Sequence, residues 1–225
     1  CFVPILVGLV KPHIDKVNLL VELKTHKNFI KYSVPAGFFN VASLQFPSLF
    51  LAFNFGPASA GVYLLVNRLA SVPLALLGQS MSQSFSSHFS RLTCRRERQD
   101  LVNKVVRKCF ITSLFLFSAL YVSTPYLIGL FFSEEWLDVS NYLIFLIPMF
   151  AAQLGFFPIT NILNVLNKQK IAMIWDTSRF FSLLVLAVAT VSYDLRVETF
   201  LIVYSATMAI FYIFMYKLVI RETYA

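Results

Sequence analysis

Arg68 stands inside a long apolar run, Gly61 to Phe85. A charged side chain is costly in such a run and marks a place where charge is used. It lies some seven residues past Gly61, roughly 10 Å along a helix. Counting onward at helical spacing brings Ser71, Ala75, Gln79, Ser82, Gln83 and Ser86 to about the same side. A stripe of this kind faces a bundle interior or a wet cavity, where Arg68 would meet an anion. Other apolar runs carry polar groups too. Asn40, Ser43 and Pro47 share a side of one run, and Gln153, Thr160, Asn161 and Asn164 a side of another. Asp176 and Arg179 stand three apart in a third, close enough for an ion pair. Together these sides could enclose a hydrophilic pathway. Taken singly, each amide reads better as glue between helices, and the set is what points to a pathway. Asp176 and Arg179 also fit a structural ion pair or side chains snorkelling from a segment end.

Other chemistry is missing from the pattern. His13, His26 and His88 are scattered without metal-ligand spacing, and Cys94 and Cys109 sit in or beside basic segments. There is no Walker loop, dinucleotide fingerprint or nucleophile elbow. No metal, nucleotide or other cofactor is therefore expected. The outward loops carry no paired catalytic set beyond Glu134, Glu135 and Asp138, and these acids also fit a loop kept free of positive charge.

The elements that must position these residues follow from composition. Of 225 residues, 58% are hydrophobic and 13% charged, against about 25% charged in ordinary soluble domains. The mean hydropathy is +0.71. Six apolar segments reach spanning length: 32–55, 61–85, 109–132, 141–166, 171–191 and 199–218. Their apolar residues are consecutive rather than alternating, which favours helices over a membrane barrel. The fold expected is an all-α membrane bundle of about six transmembrane helices. Prolines at 35, 47, 73, 125, 148 and 158 would bend these spans.

Charge orients the bundle. The segment before the first span carries Lys11, Lys16, Lys24, Lys27 and Lys31, and the segment 86–108 carries seven Lys or Arg. Lys168 and Lys170, then Lys217 and Arg221, follow at later alternate connections. The remaining connections hold only Arg196 as a basic residue. By the positive-inside rule the basic connections and both chain ends are cytoplasmic. The net charge of +8 then fits anionic lipid head groups rather than nucleic acid. Residues 1–10 read as the tail of a truncated further span. Residues 11–31 read as a basic connector, interfacial or solvated, leading into the bundle at 32–221.

The stretch from Gly61 to Phe85 resembles a known family, the bacterial polysaccharide (O-antigen, Wzx-type) flippases of the multidrug/oligosaccharidyl-lipid/polysaccharide superfamily. Gly61, Tyr63, Leu65, Arg68 and Pro73 match its G-x-Y-x-L-x-x-R-x-x-x-x-P core. Gln79, Ser80, Ser82, Gln83 and Phe85 match the polar tail. Lys31 to Asn40 resembles the family's Y-x-L-P-x-x-x-x-N entry to a span, and Phe55-Gly56-Pro57 precedes the core motif as expected. Phe131 to Trp136 resembles F-G-x-x-W, with Ser133 in place of glycine. From about residue 167 on, the resemblance is general hydropathy.

The resemblance implies a carboxy-terminal half of a twelve-helix transporter in the bacterial inner membrane. The implied substrate is an undecaprenyl-diphosphate-linked oligosaccharide, moved through a central cavity by ion-coupled alternating access. Its coupling ion is unspecified. Membrane lipids and other polysaccharide-assembly proteins are the implied neighbours. Asn, Gln and Ser would suit sugar hydroxyls, and Arg68 or Arg179 the diphosphate. Two alternatives remain open at this level. One is a multidrug or cation antiporter of the same superfamily, and the other a membrane polymerase or ligase of the same pathway.

Overall fold

Lipid offers no partner to a backbone N–H or C=O, so an apolar run that crosses it must satisfy its own hydrogen bonds. The runs do so as helices. The structure, a computed structural model, describes residues 27–92, 94–131, 136, 138–160, 162–166 and 168–224, with side chains at all of these except 27–30, 131, 164, 165, 223 and 224. The elements are α1 (Lys27–Asn54), α2 (Pro57–Arg91), α3 (Arg95–Phe131), α4 (Asp138–Phe156), a 3₁₀ turn (Phe157–Ile159), α5 (Ile162–Val165), α6 (Gln169–Ser192) and α7 (Val197–Tyr224). Six of these segments are long and apolar enough to cross a membrane, and the described residues include no strand. The chain is an all-α, multi-pass membrane protein. The expected span tail at 1–10 and most of the connector at 11–31 lie outside the described residues.

Two boundaries differ from the sequence expectation. α2 and α3 have 35 and 37 residues, more than 50 Å of helix each, so both outrun a bilayer core of about 30 Å. The basic segment 86–108 is mostly the continuation of these two helices. They meet at a short turn where Arg98 Nε donates to Leu92 O at 2.8 Å and the guanidinium lies over the Phe89 ring. The fourth span, expected over 141–166, leaves the α-helix at Phe156. Pro158 is the cause: it has no N–H for the carbonyl four residues back, and it disfavours α geometry at Phe157. Pro148 sits inside α4 without ending it. Next to it, the Met149 N–H donates to Ser205 Oγ of α7 at 3.1 Å, so a neighbouring helix serves the disturbed backbone.

α4 is the centre. Of its most apolar stretch 67% is buried, against 22–33% for the other five spans. It packs against α2, α3 and α7, while α1 packs chiefly along α6. Many outward side chains on the surrounding helices are apolar, among them Phe38, Phe53, Leu76, Phe115, Val185 and Phe214, as suits lipid contact. Polar contacts join helices within the bundle. Ser113 Oγ donates to Ala151 O at 3.0 Å, and Lys168 pairs with Glu222 at 3.0 Å. A Cβ at Gly61 would meet the Trp136 ring at 3.9 Å, an ordinary van der Waals contact.

The α1–α2 turn depends on one glycine. Gly56 has φ 91° and ψ 165°, a region open essentially to glycine alone. Pro57 then starts α2 at a position where its missing N–H costs nothing. A Cβ at Gly56 would meet nothing within 4 Å, so only backbone strain opposes a side chain. Gly56→Ala and Gly56→Asn should therefore both destabilise by about 1–3 kcal/mol. Asparagine, which eases a left-handed helical position, should give no relief. Thermal unfolding of the purified variants in one detergent checks this.

Candidate functional site

Four helices leave a cavity of about 390 Å³ between them. α1 contributes Ser33, Asn40 and Leu44; α4 and its 3₁₀ turn contribute Gln153 and Phe157, with Thr160 just beyond. α6 contributes Gln169, Trp175, Asp176 and Arg179, and α7 contributes Tyr212 and Met215. These positions lie toward the start of α1, the end of α4, the start of α6 and the end of α7. That is one end of the bundle, the end carrying Lys31, Lys168, Lys170, Lys217 and Arg221.

Arg179 organises the cavity wall. It is ten residues into α6, about 15 Å along the helix, and only 1% exposed. An unpaired charge at that depth would be prohibitive. Helical spacing brings Asp176 and Trp175 to the same side of α6. Asp176 Oδ1 accepts from Arg179 Nη2 at 3.0 Å, and the guanidinium lies 4.5 Å over the Trp175 ring. The indole is held in turn by its own Nε1–H, which donates to Phe211 O of α7 at 3.0 Å. From α1, Asn40 Oδ1 accepts a second bond from Nη2 at 2.7 Å. The cluster thus ties α1, α6 and α7 around one cation.

The cation is not fully used. Arg179 Nε is buried without a hydrogen-bond partner, and so is Ser33 Oγ across the same cavity. Buried polar groups are nearly always satisfied, by water or ligand where protein fails. Two buried polar atoms without a protein partner, beside Gln153, Thr160 and Asn40, give this wall the chemistry of an anion site with hydrogen-bonding neighbours.

The structure divides the predicted residues into two groups. Asn40, Gln153, Asp176 and Arg179 come together in this cavity with Thr160. The α2 stripe lies apart from it. Arg68, Gln79 and Gln83 are exposed on α2, Ser71 is half-buried and Ser82 is buried. Ser71 Oγ turns back to its own helix, donating to Arg68 O at 2.9 Å. Ser43, grouped with Asn40 by spacing, is fully buried and donates to Phe39 O. Asn161 and the Asn164 side chain lie outside the described residues. Sequence reasoning missed Ser33, Trp175, Gln169 and Tyr212. Trp175 was within reach, since it stands four residues before Arg179, and that spacing places an aromatic face under a cation. Ser33 and Tyr212 arrive from other helices, and only helix pairing reveals them.

Breaking the pair should cost more than removing it. Asp176→Ala leaves a buried guanidinium without its counter-charge and should lose about 3 kcal/mol. Asp176→Leu combined with Arg179→Met should lose distinctly less. Unfolding of the variants in nanodiscs measures the difference.

Residues 5–141, more than half of the chain, match the model of a family described as polysaccharide biosynthesis protein. No curated protein and no solved structure matches at a significant level. The match covers α1, α2 and α3, including the motif from Gly61 to Phe85 that carried the resemblance in the sequence. The chain, a multi-pass membrane protein, belongs to the polysaccharide biosynthesis protein family.

Proposed function

We propose that the protein flips an undecaprenyl-diphosphate-linked oligosaccharide across the bacterial inner membrane, as a transporter rather than an enzyme. The basic end of the bundle, with both ends of this chain, would lie in the cytoplasm. The observation that carries the reading is Arg179: a buried guanidinium whose Nε lacks a partner, in a cavity lined by amides, hydroxyls and aromatic rings together with Asp176, Leu44 and Met215. A lipid-linked sugar diphosphate offers the complementary parts. Its diphosphate suits the cation, its hydroxyls suit Asn40, Gln153 and Thr160, and its polyprenyl tail stays in lipid.

Size adds a second condition. A cavity of about 390 Å³ is near the lower end for small-molecule sites, roughly 300–1,000 Å³. It has room for a diphosphate and a sugar but not for a whole repeat. The rest of the head group would pass the exposed face of α2, along Arg68, Gln79 and Gln83. In the twelve-helix family resembled here, a second bundle would close over that face.

Asp176 favours a second reading, an antiporter that couples through an acid in the cavity. Its carboxylate already serves Arg179 at 3.0 Å, which leaves less of it for a transported cation. We therefore rank this reading second.

The full-length protein expressed in a flippase-null bacterium should restore surface polysaccharide. Arg179→Ala and Arg68→Ala should each cut that restoration about 10- to 100-fold, the worth of a lost charge-assisted bond, when compared at matched membrane abundance. Full activity in both variants would remove the anion role assigned to these residues. Export of small cations with no effect on polysaccharide would favour the second reading.

A further inference from the structure

A second polar feature lies outside the cavity, where the start of α3 meets the end of α7. Two clefts of about 380 and 370 Å³ sit side by side there and share Asn103. Lys104, Arg107 and Lys108 of α3 line one, and Lys217 and Arg221 of α7 line the other. Tyr216 Oη donates to Asn103 Oδ1 at 2.6 Å, which joins the two helices between the clefts. None of these five cations has an ion pair among the described residues. Asp100, one turn before Lys104, makes none with it either. Gln99 lines the second cleft, and its buried Nε2 lacks a hydrogen-bond partner.

The register of α3 says what kind of anion fits. Lys104, Arg107, Lys108, Ile111, Leu114 and Phe115 recur at spacings of three and four, so they run down one side of the helix. Ile111, Leu114 and Phe115 are exposed at 57%, 43% and 79%. One face of α3 thus passes within two turns from three cations to an open apolar column. A soluble anion would use only the upper part. A lipid uses both, with phosphate on the cations and acyl chains along the column. Two adjoining clefts with five unpaired cations suit a head group bearing two phosphates better than one.

We infer that this groove is a binding site for an anionic phospholipid of the surrounding membrane, preferentially one with two phosphates in its head group. The site is separate from the Arg179 cavity, which α7 lines with Tyr212 and Met215 rather than Tyr216 and Lys217.

The test uses full-length, delipidated protein in detergent, with binding read by native mass spectrometry and thermal shift. The probes are cardiolipin, phosphatidylglycerol, phosphatidylethanolamine and undecaprenyl phosphate. Cardiolipin should bind tightest and raise the melting temperature most, with phosphatidylethanolamine last. Lys104→Gln with Arg107→Gln and Lys108→Gln should weaken cardiolipin binding roughly 10- to 100-fold. The lipid-free melting temperature should stay near that of the parent, because these side chains are exposed and unpaired. Arg91→Gln with Arg96→Gln, a charge loss elsewhere on the basic side, should leave cardiolipin binding intact. Equal binding of cardiolipin and phosphatidylethanolamine would overturn the inference, as would equal losses in the two sets of variants. Displacement of cardiolipin by undecaprenyl phosphate at equal concentration would also overturn it, and would assign the groove to the transported lipid.

Discussion

Hydrocarbon supplies no hydrogen bonds, and the rest of this structure follows from that shortage. It makes every span a helix. It also means that each polar group inside must bring its partner along. The disturbed backbone beside Pro148 takes a hydroxyl from Ser205, and the Trp175 indole takes a carbonyl from α7. Arg179 is the most demanding case. It gathers an acid, an amide and an aromatic face from two helices. In a protein where apolar surface gives little reason for one helix to prefer another over lipid, such bonds help choose the neighbours.

The cavity lies beside the place where α4 stops, with Phe157 and Thr160 in its lining. A regular α-helix does not continue there. Pro158 instead forces a tight 3₁₀ turn, and the chain departs with Thr160 at the rim. The same short α4, buried on nearly all sides, remains the core around which the longer and partly exposed helices stand. Pro158 thus marks the place where the packed centre gives way to the polar cavity.

Much of this was legible in the sequence, and the reasons are specific. The spans were legible because apolar runs of bilayer length have few other uses, and the family was legible because Arg68, Pro73 and the Gln79–Gln83 tail keep a distinctive spacing. Asn40, Gln153, Asp176 and Arg179 could each be named as polar residues in spans, but their meeting in one cavity could not, since it depends on α1 lying along α6. The α2 stripe shows the opposite case. Its spacing was plain, yet spacing cannot say whether the surface it faces belongs to this bundle. The end of α4 was misjudged because apolar residues continue past Pro158 and hydropathy does not sense a missing N–H.

Phe157 belongs to two surfaces at once. Its ring lies so close to Gly78 of α2 that a Cβ there would come within 2.9 Å of it, and the same residue lines the Arg179 cavity. The ring rests on α2. A side chain at Gly78 would therefore push on a residue that lines the cavity. α2 is also the helix whose outer face carries Arg68, Gln79 and Gln83. One helix thus carries both an exposed polar face and the glycine that lets a cavity-lining ring in.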